Sequence, residues 1–324
     1  MARVGAAVVT YNRKDLLLGC MDALLGQTHP VVQTFIVDNA STDGTQDLLR
    51  ERGLLDRDDV TYVRLDENLG GAGGFSRAVE ILRAEDVDWA WLMDDDSEPV
   101  PDSLERLLAA LPASDPDCVA LCPKVVYEAG GIDANQRGHF RRRLLPLAEG
   151  EYRDGNFVEL GFLSFVGARV RPSAARAIDP PRADFFVWGD DVEYSFRLRR
   201  VGSIRLVNNS VMVHKRVTHS YENGRSRFWN RILPGYYWPT PPDRFWQNLC
   251  GLRNYIWMKR HYEDQGSVSA AGTTLQFLVK HALYDERPLR RLPWLVRFAR
   301  DGRRGRFANI PPAQWQEMVR RGQV

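Results

Sequence analysis

The sequence of 324 residues has few cysteines, no excess of one charge and no long apolar run. Its four cysteines form no CxxC pair or zinc-binding pattern, so we expect reduced, structural thiols. Since 44 basic residues stand against 42 acidic ones, we expect no nucleic-acid partner. No segment approaches the roughly 20 apolar residues that a membrane-spanning helix requires.

The N-terminal sequence also shows no targeting pattern, because Met1–Arg3 leads directly into a short apolar stretch. We therefore expect a cytoplasmic location. A chain of this length can bury a large core without disulfides, as one large α/β domain with additions or as two domains. Ordinary fractions of hydrophobic (44%) and charged (27%) residues exclude a disordered, collagen-like or coiled-coil chain.

Strands and helices alternate through the first third of the chain. The predicted strands are Val4–Thr10, Gln33–Val37, Val60–Leu65, Asp88–Met93 and Cys118–Pro123. Repeated βαβ units predict an α/β fold with a mostly parallel sheet and helices on both faces. Polar residues follow four of these strands: Thr10, Asp38, Asn68 and Asp94. Because ligands bind outside the carboxyl ends of parallel strands, we expect one continuous site there.

The middle of the chain is less regular in its pattern. We expect residues 124–160 to be irregular and Gly161–Val170 to form one strand. A helix over Val192–Val201 is predicted to precede two short strands, Ile204–Val207 and Ser210–Val213. Residues 270–324 predict helices in which basic and apolar positions are mixed.

The strongest local signal is the run of three carboxylates, Asp94–Asp96, after an apolar strand. Adjacent negative charges repel each other unless a cation compensates, and oxygen ligands suit Mg²⁺ or Mn²⁺. If the strand geometry continues, Asp94 and Asp96 point the same way and reach one ion. His214 follows a later strand and would complete a mixed oxygen and nitrogen site. A solvated acidic turn before the next helix is the alternative.

Two further motifs have both a structural and a functional interpretation. The glycine-rich stretch Asn68–Gly74 lacks the lysine of a P-loop. Small residues there either let a phosphate or sugar approach backbone N–H groups, or form a tight turn with close helix packing. Asp190 and Asp191 either cap the next helix or, near a metal, provide a general base.

In this order, the motifs resemble the inverting glycosyltransferases of family 2, which have a GT-A fold. Val8–Arg13 is similar to the first nucleotide-binding loop of that family, and Val37–Thr45 is similar to the second. Asp94–Asp96 matches its Asp-x-Asp metal motif. Gly189–Asp191 matches the motif usually written Glu-Asp, whose second acid is the catalytic base. The resemblance covers about residues 1–220.

The resemblance implies a divalent ion, Mn²⁺ or Mg²⁺, held by Asp94, Asp96 and His214 at the diphosphate of the donor. It implies Asp191 as the base that removes the proton of the acceptor hydroxyl. Asp190 stands where the family has Glu, as a neighbour of the base or a contact to the acceptor. The residues implied to bind the nucleotide sugar are Thr10, Tyr11, Arg13, Asp38, Asn68, Gly70, Gly71, Asp95 and Trp188.

A narrower resemblance concerns the donor sugar. Asn68–Phe75, Trp91–Asp96 and Leu252–Tyr255 resemble segments of bacterial cell-wall galactofuranosyltransferases, which use UDP-galactofuranose. Rhamnosyltransferases that build surface polysaccharide from dTDP-rhamnose share much of this pattern and are the alternative. A non-catalytic domain that binds a nucleotide sugar is a remote alternative. For Trp188, the two interpretations are stacking on a sugar face and a place in the core.

The resemblance implies a GT-A catalytic domain over residues 1–220, with a nucleotide-binding half (1–123) and an acceptor half (124–220). Residues 221–324 would add an aromatic and proline-rich segment and a basic helical extension. The acceptor would be a glycan or a lipid-linked glycan.

Basic and aromatic residues suggest where such an acceptor binds. Arg137 and Arg141–Arg143 would offer it positive charge, and Phe228–Trp246 an apolar surface. The segment Arg287–Phe298 resembles an interfacial amphipathic helix, which predicts peripheral contact with the cytoplasmic face of the membrane. A helix packed on the catalytic domain, with its arginines solvated, is the alternative.

Overall fold

The structure is a computed structural model, in which the chain divides into two compact units. The residues it describes are 1–110, 117–141, 143–153, 157–215, 225–226, 228, 239–262 and 270–323. Unit 1 comprises Met1–Phe140, Leu144–Ala183 and Asp190–Arg216. Unit 2 comprises Arg141–Arg143, Asp184–Gly189 and Val217–Val324. Unit 2 thus includes Asp184–Gly189, which the sequence analysis assigned to the catalytic domain.

The described part of unit 1 is built on a nine-stranded sheet. Its strands are β1 (Val4–Thr10), β2 (Gln33–Asp38), β3 (Val60–Arg64), β4 (Trp89–Asp94), β5 (Ser97–Pro99), β6 (Cys118–Tyr127), β9 (Phe157–Glu159), β11 (Ala168–Val170) and β12 (Ser203–His214). A smaller sheet contains β7 (Arg137–Arg141), β8 (Arg143–Pro146) and β10 (Phe162–Leu163). The helices of unit 1 are α1 (Lys14–Leu25), α2 (Thr45–Glu51), α3 (Gly70–Ala84), α4 (Ser103–Ala109), α5 (Pro172–Ala177) and α6 (Asp190–Leu198).

The large sheet has the order β3-β2-β1-β4-β11-β6-β12-β5, with β9 also paired to β12. Strands β1 to β4 pair in parallel, and so do β6 and β12, whereas β11 runs antiparallel to both of its neighbours. The carboxyl ends of β1, β2 and β4 therefore lie at one edge of the sheet. This confirms the α/β fold and the mostly parallel sheet.

Both faces of the sheet are covered by helices, as the apolar strands require. Ala7 and Val9 of β1 pack in a cluster with the apolar residues of α3. Ala6 and Val8 point to the other face and pack in a cluster with those of α1. All four cysteines lie within the described residues and are buried thiols.

Three local predictions were wrong. Residues 124–160 are not irregular, because they contain the end of β6 and strands β7, β8 and β9. Residues 161–170 do not form one strand, because Gly167, with φ of 74°, separates β10 from β11 and the two strands join different sheets. The two strands expected before His214 are one strand, β12, in which an irregularity between Val207 and Val211 shifts its register with β6.

The described C-terminal part of unit 2 is mostly helical, as expected for the C-terminal extension. Its helices are α7 (Phe245–His261), α8 (Ala270–Tyr284), α9 (Pro288–Arg304) and α10 (Pro312–Arg320). Its buried apolar cluster includes Phe245, Leu249, Leu295, Phe298 and Trp315. Within the described ranges, no helix combines the length and the apolar character needed to cross a membrane.

Candidate active site

The edge formed by the carboxyl ends of β1, β2 and β4 brings the predicted polar residues together. The register pairs Thr10 with Asp38 and places Asp94 beside Val9 of β1. Helix α3 begins at the same edge, where the side-chain N–H of Asn39 donates to the carbonyl oxygen of Gly70 at 3.0 Å.

The acidic run is held by residues of the first loop. Thr10 Oγ1 donates to Asp95 Oδ2 at 2.8 Å. Arg13 Nη1 donates to Asp95 Oδ1 at 3.2 Å and to Asp96 Oδ2 at 2.8 Å. Burial raises the pKa of Asp95 to about 6, although the charge of Arg13 opposes this. Both oxygens of Asp95 are thus engaged within the protein, and Arg13 balances part of the negative charge.

His214 lies at the end of β12 and connects two carboxylates. Its Nε2 is 3.4 Å from Asp96 Oδ1, and its Nδ1 is 2.9 Å from Asp133 Oδ2. Burial alone would lower the pKa of His214, but hydrogen bonds to Asp133 and Asp96 raise it to about 9. Asp133 was not predicted as a site residue, because it lies in a segment that was expected to be irregular. The signal in the sequence that could have indicated Asp133 was its position just after the glycine pair Gly130–Gly131.

Among the described residues, no three or more His, Cys, Asp or Glu side chains are arranged so that they could ligate a metal ion. Asp94, Asp96 and His214 nevertheless fit a divalent cation in their chemistry. Burial and the charges of Asp96 and Asp95 raise the pKa of Asp94 to about 8, and a cation beside these carboxylates would favour the ionised form of Asp94. A carboxylate at Nδ1, here that of Asp133, is the common way to orient a metal-ligating histidine.

Asp190 and Asp191 form the first turn of α6. Asp190 is buried, and burial together with the charges of Asp191 and Asp94 raises its pKa well above the usual range. Asp94 is therefore near enough to the start of α6 for its charge to act on Asp190. Asp191 Oδ1 accepts the N–H of Val192 at 2.7 Å, and burial raises the pKa of Asp191 to about 6. A carboxylate with such a pKa suits a general base near neutral pH.

The second loop is anchored at Asp38, which is fully buried. Its Oδ1 accepts the N–H of Ser41 at 2.9 Å. Its Oδ2 accepts the hydroxyl of Tyr62 and Nη1 of Arg64, the latter at 3.0 Å. The carboxylate of Asp38 is therefore engaged by the protein itself. Tyr62 and Arg64 were missed, because β3 shows only strand propensity and no motif.

The first and second loops are also joined directly to each other. Ser41 Oγ accepts the N–H of Asn12 at 2.9 Å, and Asn12 Oδ1 accepts the N–H of Thr42 at 2.7 Å. Tyr11, between Thr10 and Asn12, has an exposed side chain. The two segments that resemble nucleotide-binding loops thus form one connected surface.

The glycine-rich stretch contains one glycine that permits close helix packing and another that is exposed. A Cβ atom at Gly74 would lie 2.4 Å from Cγ1 of Val9, so this glycine permits close packing of α3 on β1. Gly70 has a φ of 73°, and its N–H donates to Asn68 Oδ1 at 2.8 Å. Gly71 is exposed, and a Cβ atom there would have no neighbour within 4 Å. The backbone at Gly71 is therefore open to a ligand.

Trp188 belongs to unit 2 and is 45% exposed. This exposure excludes the alternative interpretation of Trp188 as a core residue. Its backbone has a φ of 64°, which is uncommon for a bulky side chain.

Arg137 does not offer its charge to an acceptor, so that expectation was wrong. The side chain is fully buried and donates to the carbonyl oxygens of Pro123, Gln136 and Val166 at 3.2, 2.8 and 2.6 Å. Because β6 and β7 carry these residues into the interior, the guanidinium satisfies backbone groups there. The side chains of Arg141–Arg143 lie outside the described residues, and so does most of Phe228–Trp246.

Comparison with known proteins identifies the family. The pattern of the glycosyl transferase family 2 matches residues 6–175, which is more than half of the chain. The chain belongs to glycosyl transferase family 2. It is also similar to the galactofuranosyltransferase GlfT1 of Mycobacterium tuberculosis, with 36% identity over 207 residues. The match covers 61% of this chain and 65% of that relative, so the chain spans just under two thirds of the length of GlfT1.

Solved structures share the fold. The crystal structure of GalNAc-T7 with UDP, GalNAc and Mn²⁺ superposes with a TM-score of 0.55 at 14% identity, over 94% of this chain and 59% of that one. The structure of TarS 1–349 of S. aureus in complex with UDP superposes with a TM-score of 0.52 at 14% identity, over 99% and 92% of the two chains. These likenesses confirm the GT-A fold of this family 2 member.

Proposed function

We propose that this protein is a metal-dependent, inverting glycosyltransferase that transfers galactofuranose from UDP-galactofuranose. The acceptor is a glycan or a lipid-linked glycan in bacterial cell-wall or surface polysaccharide synthesis. The observation that carries the proposal is that the acidic run at the end of β4 and the Asp190–Asp191 pair at the start of α6 belong to the same unit, with Asp94 near enough to Asp190 for its charge to raise the pKa of that carboxyl. The similarity to GlfT1 supports the choice of donor.

In this mechanism, Asp191 accepts the proton of the acceptor hydroxyl while that oxygen attacks the anomeric carbon. The bond from the anomeric carbon to the diphosphate breaks on the opposite side, and the configuration inverts. Asp190, whose pKa is raised by burial and by the charges of Asp191 and Asp94, contacts the acceptor. Asp94, Asp96 and His214 would hold Mn²⁺ or Mg²⁺, which when bound stabilises the negative charge of the leaving diphosphate.

The donor binds across the first loops and the start of α3. Tyr11 is exposed, and the side chain of Arg13 is half-exposed, so both can contact the nucleotide. Thr10, Asp38 and Asp95 support this surface through their hydrogen bonds within the protein. Asn68, Gly70 and Gly71 place the N-terminus of a 15-residue helix, with its partial positive charge, toward the diphosphate or sugar. Trp188 stacks on a sugar ring.

The surface that binds the acceptor also contacts a membrane. On α9, Leu289, Leu292 and Val296 are exposed at 84%, 43% and 51% and follow the spacing of one helix face. Residues 287–323 contain ten arginines and two acidic residues, which complements an anionic lipid headgroup region. We propose that unit 2 contacts such a surface peripherally, as enzymes do that act on lipid-linked acceptors. The cytoplasmic location remains a prediction.

The test of the activity uses Asp191→Asn, which keeps an oxygen for the N–H of Val192 but cannot accept the proton. Purified protein is incubated with UDP-galactofuranose, Mn²⁺ and a lipid-linked glycan, and the product is measured by mass spectrometry. Wild type should form product and Asp191→Asn should lose at least about 10²-fold in rate, in the range of general-base catalysis. Asp47→Asn, which removes an exposed acid from the first turn of α2, should react normally.

The test of the donor compares melting temperatures with UDP, dTDP, GDP and CMP, each with and without Mn²⁺. A ligand at 100 times its Kd stabilises the folded state by about 2.7 kcal/mol, which shifts the melting temperature measurably. A shift with UDP that depends on Mn²⁺ supports the proposal. A shift of the melting temperature with dTDP alone would favour dTDP-rhamnose as the donor. If no nucleotide shifts the melting temperature, the result contradicts the proposed glycosyltransferase function. It also contradicts the alternative of a non-catalytic domain that binds a nucleotide sugar.

A further inference from the structure

The segment Asp184–Gly189, which leads into Asp190, has an unusual backbone. Phe186, Trp188 and Gly189 all have positive φ, at 67°, 64° and 91°. For the two aromatic residues this left-handed conformation is strained, and it persists only where the surrounding structure enforces it. The source of that enforcement lies on helix α7 of the same unit.

Asn254 of α7 holds the segment by its carbonyl groups. The side chain is fully buried, and its Nδ2 donates to the carbonyl oxygens of Phe185, Val187 and Trp188 at 3.0, 3.1 and 2.8 Å. One amide group with two N–H bonds thus serves three carbonyls of the strained segment. Its Oδ1 accepts Nε of Arg253 at 3.0 Å, which orients the amide so that the N–H groups face the segment. Arg253 Nη2 adds a hydrogen bond to the carbonyl of Phe185 at 3.0 Å.

Gly251 and Met258 lie on the same face of α7 as Asn254, at helical spacings of three and four residues. A Cβ atom at Gly251 would lie 2.8 Å from Cε3 of Trp188, so the indole rests directly on the backbone of α7. A Cβ atom at Gly189 would lie 3.0 Å from Cε of Met258. The absence of a side chain at Gly251 is what permits the indole to lie this close to the helix. Trp188 is nonetheless 45% exposed, so a large part of its surface is available to a ligand.

We infer that Asn254 and Gly251 are positioning residues that fix Trp188 as a stacking platform for a sugar ring. The inference rests on the proposed function, in which Trp188 contacts the sugar. Asn254 acts by fixing the backbone conformation of Trp188, and Gly251 acts by letting the indole approach the helix. An aromatic platform needs a rigid ring, because each rotamer that is lost on binding reduces the affinity.

The positioning itself is tested without substrate, by fluorine NMR of protein labelled with 5-fluorotryptophan. The chain contains nine tryptophans, and the Trp188 signal is assigned by its loss in Trp188→Phe. In Asn254→Ala and in Gly251→Ala, the Trp188 signal should shift by more than its line width. The control is Asn208→Ala, because Asn208 is another buried asparagine whose Nδ2 donates to two carbonyls, those of Glu151 and Arg153. In this variant the Trp188 signal should not move.

One variant keeps the test decisive if Asn254→Ala does not fold. Gly251→Ala adds a single methyl group against the indole and keeps every hydrogen bond of Asn254. If its other eight tryptophan signals are unchanged and the Trp188 signal also stays in place, the inference is overturned. A shift of the Trp188 signal in Gly251→Ala, without change elsewhere, supports the positioning role.

The platform is then tested by steady-state kinetics with UDP-galactofuranose. Gly251→Ala should raise the KM of the donor or of the acceptor by about tenfold and leave kcat within about twofold, because it removes binding that is equal in the ground and transition states. A shifted Trp188 signal with unchanged KM values would overturn the assignment of Trp188 as a sugar platform. If wild type itself transfers no sugar, the proposed function fails, whereas the NMR result still decides the positioning role of Asn254 and Gly251.

Discussion

At the scale of single residues, burial and partners give identical side chains different properties. Asp96 and Asp133 both accept a hydrogen bond from His214, and this lowers their pKa values although burial acts to raise them. Asp190 and Asp191 accept no hydrogen bond from a histidine, so the effect of burial dominates and raises both pKa values. The carboxylates of the site are thereby divided into ionised groups and groups that hold a proton more tightly.

A pH dependence follows for Asp191. Its pKa is raised to about 6, mainly by burial and against the opposing N–H of Val192 and charge of Arg137. Because the base must be ionised, kcat should rise with pH and level off above pH 7, and at pH 5 about one tenth of the activity should remain. Initial rates at saturating substrates between pH 4.5 and 8 measure this. A rate that is constant down to pH 5 would exclude Asp191 as the base.

The contact between Asp133 and His214 leads to a second prediction. Asp133→Asn should weaken the Mn²⁺-dependent binding of UDP by about 10-fold to 100-fold, because partners of this kind orient metal-ligating histidines. Isothermal titration calorimetry with and without Mn²⁺ measures the effect. Glu128→Gln is the control, since Glu128 is an exposed carboxylate that pairs with Lys215 and not with His214. An equal loss of UDP affinity in the absence of Mn²⁺ would argue against a role at the metal.

At the scale of elements, the packing of α3 on β1 separates two glycines that look alike in the sequence. Gly74 faces Val9 and Asn39, and an added Cβ atom would lie 2.4 and 2.7 Å from their side chains. Gly71 lies one turn earlier on the exposed side of the same helix. The element therefore has one position that serves packing and another that is open to the donor.

Alanine substitutions at these two positions should have opposite consequences. Gly74→Ala should lower the free energy of unfolding by about 1–3 kcal/mol, as overpacking does. Gly71→Ala should leave stability unchanged or slightly improved, because alanine favours the helix, but should weaken UDP binding. Urea denaturation measures the first effect and calorimetry the second. Equal stabilities of the two variants would contradict the packing argument for Gly74.

At the scale of the whole molecule, the proposed reaction with a lipid-linked acceptor requires a surface that meets the membrane. Helix α9 of unit 2 provides exposed apolar residues beside numerous arginines. Neither feature alone distinguishes a membrane surface from an ordinary solvated helix. Their combination on one element is typical of interfacial helices.

The protein should therefore bind vesicles that contain phosphatidylglycerol, and less so those of phosphatidylcholine alone. Binding should weaken as salt rises, because screening reduces the attraction of the arginines to anionic lipid. Leu292→Gln combined with Val296→Gln should reduce binding in a sedimentation assay. Val201→Gln, which changes an exposed apolar residue of unit 1, is the matched control. Equal binding of all three proteins would place the membrane contact elsewhere or exclude it.

The sequence by itself determined the features that depend on neighbouring residues. Apolar runs that end in Thr10, Asp38 and Asp94 specify parallel strands with polar carboxyl ends, since strand periodicity and βαβ connection lengths are local properties. The acidic run and the Asp190–Asp191 pair were visible for the same reason. So was the helical character of the C-terminal part.

Only the tertiary structure decided which distant residues meet. Asp133 reaches His214 across 81 residues, and Asn254 reaches Phe185 across 69, through a strand register and a helix packing that no local pattern encodes. The same holds for Arg137, whose charge suggested a surface but whose strand carries it inside. The sequence specifies the type of each side chain. Its partners and its burial depend on how the sheets and helices pack. The partners and the burial in turn determine the pKa and the role of the side chain.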